Sequence, residues 1–278
     1  MKNTLSVVFL LTIFIGLGLT SCSSQVVSAP LVPDPPALVT ATNVPDATAP
    51  PEVTATIDPA SVETLPVCSA FPVHAIPEYN DKNLLASFQT EDSFVVLTID
   101  DGYSNAILEQ ILNTLESKNV QATFFLVGTS FGEKIKKQTL VRLIQDGNEI
   151  AYHSYAHPDV AIIEKMTYED WLLDYQKWSE SLRAVIGDDL YSQGVVPYAR
   201  APYGLWTANF MKAVSAQDLI PVYWSADEHA FEPKRIPLKN GSILILHVIP
   251  ENLDELDSLL KTDWTIISLG TALADSCD

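Results

Sequence analysis

From about Asn83 onward, apolar runs of strand length alternate with stretches whose apolar residues recur at helical spacing. The strand candidates are Phe94–Ile99, Ala122–Val127, Glu149–Tyr152, Val196–Arg200, Ile220–Trp224, Ile243–His247 and Trp264–Ser268. Helical patterns cover Asn105–Lys118, Lys134–Gln145, Tyr168–Val185, Thr207–Gln217 and Asn252–Lys261. Thr167 precedes the third of these with Asp170 three residues on, the spacing of a capping box. Repeated strand–helix units predict an α/β fold with a mostly parallel sheet covered by helices. Seven units suit a barrel, complete or not, and a doubly wound open sheet is the competing architecture. No solenoid-length repeat is present.

The chain before this region has a different character. Lys2, the apolar stretch Leu5–Leu19 and the small residues Thr20, Ser21 and Cys22 have the layout of an export signal. The apolar run is short for a membrane span, which needs about 20 residues. Leu19-Thr20-Ser21-Cys22 resembles the bacterial lipoprotein signal, which implies cleavage before Cys22 and acylation of that cysteine. An ordinary cleaved signal peptide is the alternative. Residues 23–66 are rich in Pro, Ala, Thr and Val and hold no aromatic residue, no Gly and no positive charge, so they read as an extended tether. The expected division is a signal peptide over 1–21, a tether over 22–66 and a folded region over 67–278. The folded region is expected as a monomer, held by a lipid anchor alone at the outer face of a bacterial membrane or envelope.

Three cysteines occur in the sequence. With Cys22 acylated, Cys68 and Cys277 remain, bracketing the folded region. In an oxidising compartment they could form a disulfide, worth a few kcal/mol in the chain-entropy account; two free thiols are the alternative. No CxxC or Cys–His spacing marks them as metal ligands. The formal charge of the 278 residues is -19, and Lys and Arg form no cluster, so phosphate polymers are repelled on average and nucleic acid is not an expected partner. At 47% hydrophobic and 18% charged, the composition supports a packed core.

In barrels and open α/β sheets alike, active sites form where strands end at their C-termini. Asp100-Asp101-Gly102 follow the first candidate strand and His153-Ser154-Tyr155-Ala156-His157 the third. Arg200-Ala201-Pro202-Tyr203-Gly204 end the fourth, Asp227 follows the fifth, and His247 ends the sixth. Polar, titratable residues therefore collect at one rim. Two adjacent carboxylates point in different directions, so one can bind a metal while the other takes a proton; Asp also favours turns and helix caps. Two histidines four apart can reach one ion, and imidazole suits zinc and related metals. Two His and one carboxylate leave positions open for water and substrate. Arg200 can hold a catalytic carboxylate, or make a rim salt bridge. His247 suits acid–base chemistry, though a lone His after a strand is also a common structural residue. Aromatic residues lie in the rim loops too, among them Tyr103, Tyr155, Tyr203 and Trp206, placed either to face a ligand or simply to pack.

Taken together, Thr98-Ile99-Asp100-Asp101-Gly102, Ala122–Gly128, His153–His157, Arg200–Gly204 and Leu246-His247 resemble the polysaccharide deacetylase family, the NodB-like domain of carbohydrate esterase family 4. The resemblance spans about Phe94 to Leu269. It implies a distorted (β/α)7-type barrel and a metal-dependent hydrolase that removes acetyl groups from a polysaccharide, most readily an N-acetylglucosamine polymer. Removal of O-acetyl groups and an impaired, carbohydrate-binding scaffold are alternatives. Carried over, Asp101, His153 and His157 hold a divalent metal, usually zinc, with cobalt or nickel as substitutes. Asp100 is the general base, His247 the general acid, Arg200 the residue that orients Asp100, and the Tyr203 N–H a donor to the oxyanion. Tyr155, Trp206 and Phe231 are candidate substrate contacts. The family's fourth motif usually ends in Asp-Trp, and here that pair falls on Ala230-Phe231, with Asp227 at the earlier acidic position. Asp227, Glu228 or His229 is left as the substitute partner for His247.

Overall fold

In the computed structural model the described residues are 74–227 and 237–274. The expectations on Cys22, Cys68, Cys277, Glu228, His229, Ala230 and Phe231 lie outside them.

The strands are β1 (Ile76–Tyr79), β2 (Leu85–Gln89), β3 (Phe94–Asp101), β4 (Thr123–Leu126), β5 (Glu149–Tyr152), β6 (Val195–Ala199), β7 (Ile220–Pro221), β8 (Ser242–His247) and β9 (Thr265–Ile267). The helices are α1 (Asn105–Lys118), α2 (Lys137–Gln145), α3 (Val160–Ile163), α4 (Tyr168–Ile186), α5 (Asp188–Gly194), α6 (Ala208–Ala216), α7 (Asn252–Leu259) and α8 (Leu269–Leu273). The strand order is β1-β2-β8-β3-β4-β5-β6-β7, with β9 also on β3. Pairing is parallel from β8 through β7 and antiparallel where β2 meets β1 and β8.

The sheet curls until its far edge returns to its start. Beyond β7, Val222 bridges Leu85 of β2 and Ala226 bridges Leu244 of β8, both in parallel. That return excludes the doubly wound open sheet and gives a curled α/β barrel sheet of mostly parallel strands. It also explains why Ile220–Trp224, expected as one strand, is regular only over Ile220–Pro221: the remainder closes the curl through isolated bridges. Ile76–Tyr79 and Leu85–Gln89 form an antiparallel hairpin that leaves β1 at the edge of the sheet.

Strand alternation separates two cores. Val95, Leu97, Ile99, Phe124, Leu126, Ile150, Tyr152, Leu244 and Leu246 face the helices. Phe94, Val96, Phe125, Ala151, Tyr198, Val222 and Ile243 fill the inside of the curl. This is the period-two pattern of strands covered on both faces. Helix α4 is fixed at its start by the expected capping box: Asp170 N–H donates to Thr167 Oγ1 (3.1 Å), and Thr167 N–H to Asp170 Oδ2 (2.8 Å).

Candidate active site

Parallel register brings the rim residues together. Asp100 pairs with Phe125 and His247, Asp101 with Leu126, Leu126 with Tyr152, and Tyr152 with Ala199. His153 and Arg200 are the next residues after the last two, so their side chains emerge at one level beside the aspartates. A cavity of about 350 Å³ opens there, lined by Asp100, Asp101, His153, His157, Tyr203 and His247, among others.

Asp101, His153 and His157 each offer a ligand atom within 4.8 Å of the others. His153 Nε2 and His157 Nε2 lie 3.6 and 3.7 Å from Asp101 Oδ1. His153 Nδ1 is hydrogen-bonded to the Arg200 carbonyl oxygen at 2.9 Å, which assigns the proton to Nδ1 and leaves the Nε2 lone pair facing the cavity. Burial, the dominant influence, pushes His153 down to about 3, so its imidazole is neutral, as a ligand must be. Asp101 Oδ1 is a buried oxygen without a hydrogen-bond partner among the described residues. Such an atom normally costs free energy. A divalent cation would satisfy it, and the imidazole–imidazole–carboxylate donor set suits zinc and its neighbours.

Beside this triad lies a buried ion pair. Arg200 is fully buried, and one guanidinium nitrogen, Nη1, donates to Asp100 Oδ1 at 2.6 Å and to Thr98 Oγ1 at 2.9 Å. Nε donates to the Val222 carbonyl and Nη2 to the Tyr223 carbonyl. The guanidinium also lies 4.1 Å from the Phe125 ring centroid. Arg200 therefore ties β3, β6 and the chain beyond β7 together while fixing one oxygen of Asp100. The other oxygen, Oδ2, is 3.6 Å from His153 Nε2. Burial raises the Asp100 carboxyl above its ordinary value against the pull of Arg200, the direction that makes a carboxylate a stronger base.

His247 lines the cavity from β8, in register beside Asp100, and its backbone N–H donates to Asn252 Oδ1 at 2.6 Å. Asp227 lines the same cavity. The backbone around the site is unusual. Asp101, Ser154, His157 and Tyr203 all have positive φ, at 79°, 62°, 47° and 55°. Elsewhere, the positive-φ residues other than Gly are Asn83, Asn119 and Asp218, types that tolerate this region. Left-handed Ser154 and Tyr203 are not of those types, and their backbone is held strained beside the cavity.

The aromatic candidates divide. Tyr203 is exposed and packs edge-on against the His157 ring at 4.5 Å, and it lines the cavity. Tyr103, exposed too, lies under the Lys134 ammonium at 4.6 Å. Tyr155 and Trp206 are not in the cavity wall. Tyr155 lines a neighbouring depression with Met166 and Leu173, and Trp206 packs edge-to-face on Phe210 at 5.5 Å. Trp224 lines the cavity instead. Sequence reasoning also passed over Thr98 and Asn252. A buried hydroxyl two residues before the aspartates was the signal for the first; a cap-type residue five after His247 was the signal for the second.

The family model described as polysaccharide deacetylase matches residues 88–221. A chitooligosaccharide deacetylase of Sinorhizobium fredii is 27% identical over 186 residues, covering 63% of this chain and 81% of the relative. A peptidoglycan-N-acetylglucosamine deacetylase of Bacillus cereus is 33% identical over 133 residues, covering 48% of this chain and 44% of the relative. Among solved structures, a peptidoglycan N-acetylglucosamine deacetylase superposes with a TM-score of 0.56 at 26% identity, covering 69% of this chain and 92% of that one. A family 4 carbohydrate esterase from Bacillus anthracis gives 0.53 at 26% identity, with 68% and 86% covered. The match includes the Asp100-Asp101, His153–His157 and Arg200–Gly204 segments, on a curled barrel sheet of the same kind. In family model, relatives and solved structures alike, this chain is similar to the polysaccharide deacetylases.

Proposed function

We propose that the protein is a divalent-metal-dependent hydrolase that removes acetyl groups from a polysaccharide, above all from N-acetylglucosamine units. One observation carries the reading: the three candidate ligands Asp101, His153 and His157, within 4.8 Å of one another, share a cavity with the Asp100–Arg200 pair and His247. A metal held there, zinc before cobalt or nickel, supplies polarisation of the acetyl carbonyl and acidification of water. Asp100 accepts the proton of the attacking water, and Arg200 keeps its carboxylate aimed. The Tyr203 N–H donates to the developing oxyanion. His247 protonates the leaving nitrogen, without which an amine is a poor leaving group. Tyr203 and Trp224 offer faces for the sugar. The relatives named for chitooligosaccharide and peptidoglycan deacetylation support the amide over the ester.

Acetate release decides the matter. The protein is incubated with N-acetylglucosamine oligomers and with acetylated xylan, after chelation and after adding zinc or cobalt, beside His153→Ala. Release that needs the metal and is lost in the variant is expected, with the oligomers preferred. Metal-independent release, or none from either polymer, refutes the reading. The sequence further supports export, acylation at Cys22, a tether over 22–66 and a Cys68–Cys277 disulfide. Mass spectrometry of the membrane-extracted protein, with and without reduction, tests all of these.

A further inference from the structure

Both candidate imidazoles sit on one loop, between β5 and α3. Its backbone turns left-handed at Ser154 and at His157. A conformation of that kind persists only when its surroundings over-determine it. Neighbouring strand exits supply part of the support: Gly128 N–H donates to the Ser154 carbonyl at 3.1 Å and Thr129 N–H to the Tyr155 carbonyl at 2.7 Å. His157 N–H donates to Ser154 Oγ at 2.8 Å. The remaining support comes from α4. A single oxygen of Asp174, Oδ1, accepts the Tyr152 hydroxyl at 2.5 Å and the Tyr155 N–H at 2.7 Å. These two donors stand immediately before and two residues after His153, so one atom pins the chain on both sides of that imidazole.

The placement is costly for α4. Asp174 is 9% exposed and shares the helix's buried face with Trp171, Trp178 and Leu182. An apolar residue there would pack without desolvating a carboxylate. We propose that Asp174 is a positioning residue: it holds the loop so that His153 and His157 both point at Asp101, and thereby sets metal affinity. The inference rests on the metal centre proposed above. Groups that orient metal ligands from behind are typically worth about 10–100-fold in affinity.

Cobalt titration, followed by visible absorption and calorimetry, tests this on the full chain. Asp174→Ala removes both bonds and is expected to weaken cobalt binding by at least about tenfold. Asp174→Asn keeps an acceptor oxygen and is expected to stay within about threefold, because the two bonds survive without charge assistance. Tyr152→Phe deletes one of the two bonds and is expected to weaken cobalt binding by less than Asp174→Ala does. Asp174→Ala binding cobalt as tightly as the unaltered protein, with the same spectrum, overturns the proposal. Should Asp174→Ala fail to fold, amide hydrogen exchange in Asp174→Leu, which removes both bonds and packs on the buried helix face, decides: faster exchange at Tyr155, Ala156 and His157 supports positioning, and unchanged rates overturn it. Absence of cobalt binding by the unaltered protein counts against the metal centre itself, and the exchange comparison still judges Asp174 separately.

Discussion

Replacing Arg200 by Met should expose how much of the fold depends on a charge inside the curl. Met roughly fills the volume and keeps the contact with Phe125, so the loss is electrostatic rather than a cavity. What remains is Asp100, 2% exposed, with its partner gone, together with three acceptors that Arg200 had satisfied: Thr98 Oγ1 and the Val222 and Tyr223 carbonyls. Breaking a buried ion pair by removing one member costs about 3–5 kcal/mol. That is a large share of a typical total of about 5–15 kcal/mol. The measurement is urea unfolding, with sucrose present if the variant is marginal. Asp100→Asn and the double variant complete a cycle. Because the second change removes the charge that the first stranded, the double variant should lose about 2–3 kcal/mol less than the two single losses added together. Arg200→Met losing under about 1 kcal/mol, or a cycle additive within about 0.5 kcal/mol, would refute the view that the pair is mutually dependent.

Three further outcomes are expected. Gly128→Ala places a Cβ 2.6 Å from the Tyr155 ring and 3.1 Å from its Cα, so it should displace the histidine loop. A loss of about 1–3 kcal/mol from overpacking, with weaker cobalt binding, is the result to look for in unfolding and titration. Asn252→Ala leaves the His247 N–H without its 2.6 Å partner. It should cost about 1–3 kcal/mol in urea unfolding and lower turnover on N-acetylglucosamine oligomers. Glu149 is the acid–base case. Burial raises its carboxyl above 4.5 despite bonds from Thr123, Ser268 and Gly270. A raised acid binds its proton more tightly in the folded state, so its contribution is fullest at low pH and fades as pH climbs through the folded value. Relative to Glu149→Gln, the unaltered protein should therefore lose stability as pH rises above 4.5, as read by paired urea titrations; a difference independent of pH would count against it.

The parts of the fold legible in the sequence are those where local and tertiary preferences agree. Asn105–Lys118 and Glu149–Tyr152 fall where periodicity placed them, because each packs its apolar pattern directly into a core. β3 runs on to Asp101, past the apolar run, because its last two residues still pair with Phe125 and Leu126. The hairpin strand Ile76–Tyr79 escaped notice: it is short, largely exposed and contains Pro77, as an edge strand can. The polar residues that converge at the rim were legible because parallel strands of matched length must end together. The walls were not. Whether Tyr155 or Trp224 faces the cavity depends on the direction in which a loop leaves its strand, and no spacing encodes that. Asp174 was hidden for a related reason, since one acid on a helix gives no sign of which backbone it will meet.

The left-handed residues at the rim carry an evolutionary implication. Each non-glycine residue held there costs about 1–2 kcal/mol relative to ordinary backbone. Glycine at Ser154 or Tyr203 would relieve that cost, and so would any drift of the loops toward relaxed turns. Selection for heat resistance alone, in a laboratory library or in a lineage no longer using the site, should therefore erode these positions first. Variants that emerge more robust and inert from such a selection would carry their substitutions here, while the barrel beneath stayed unchanged.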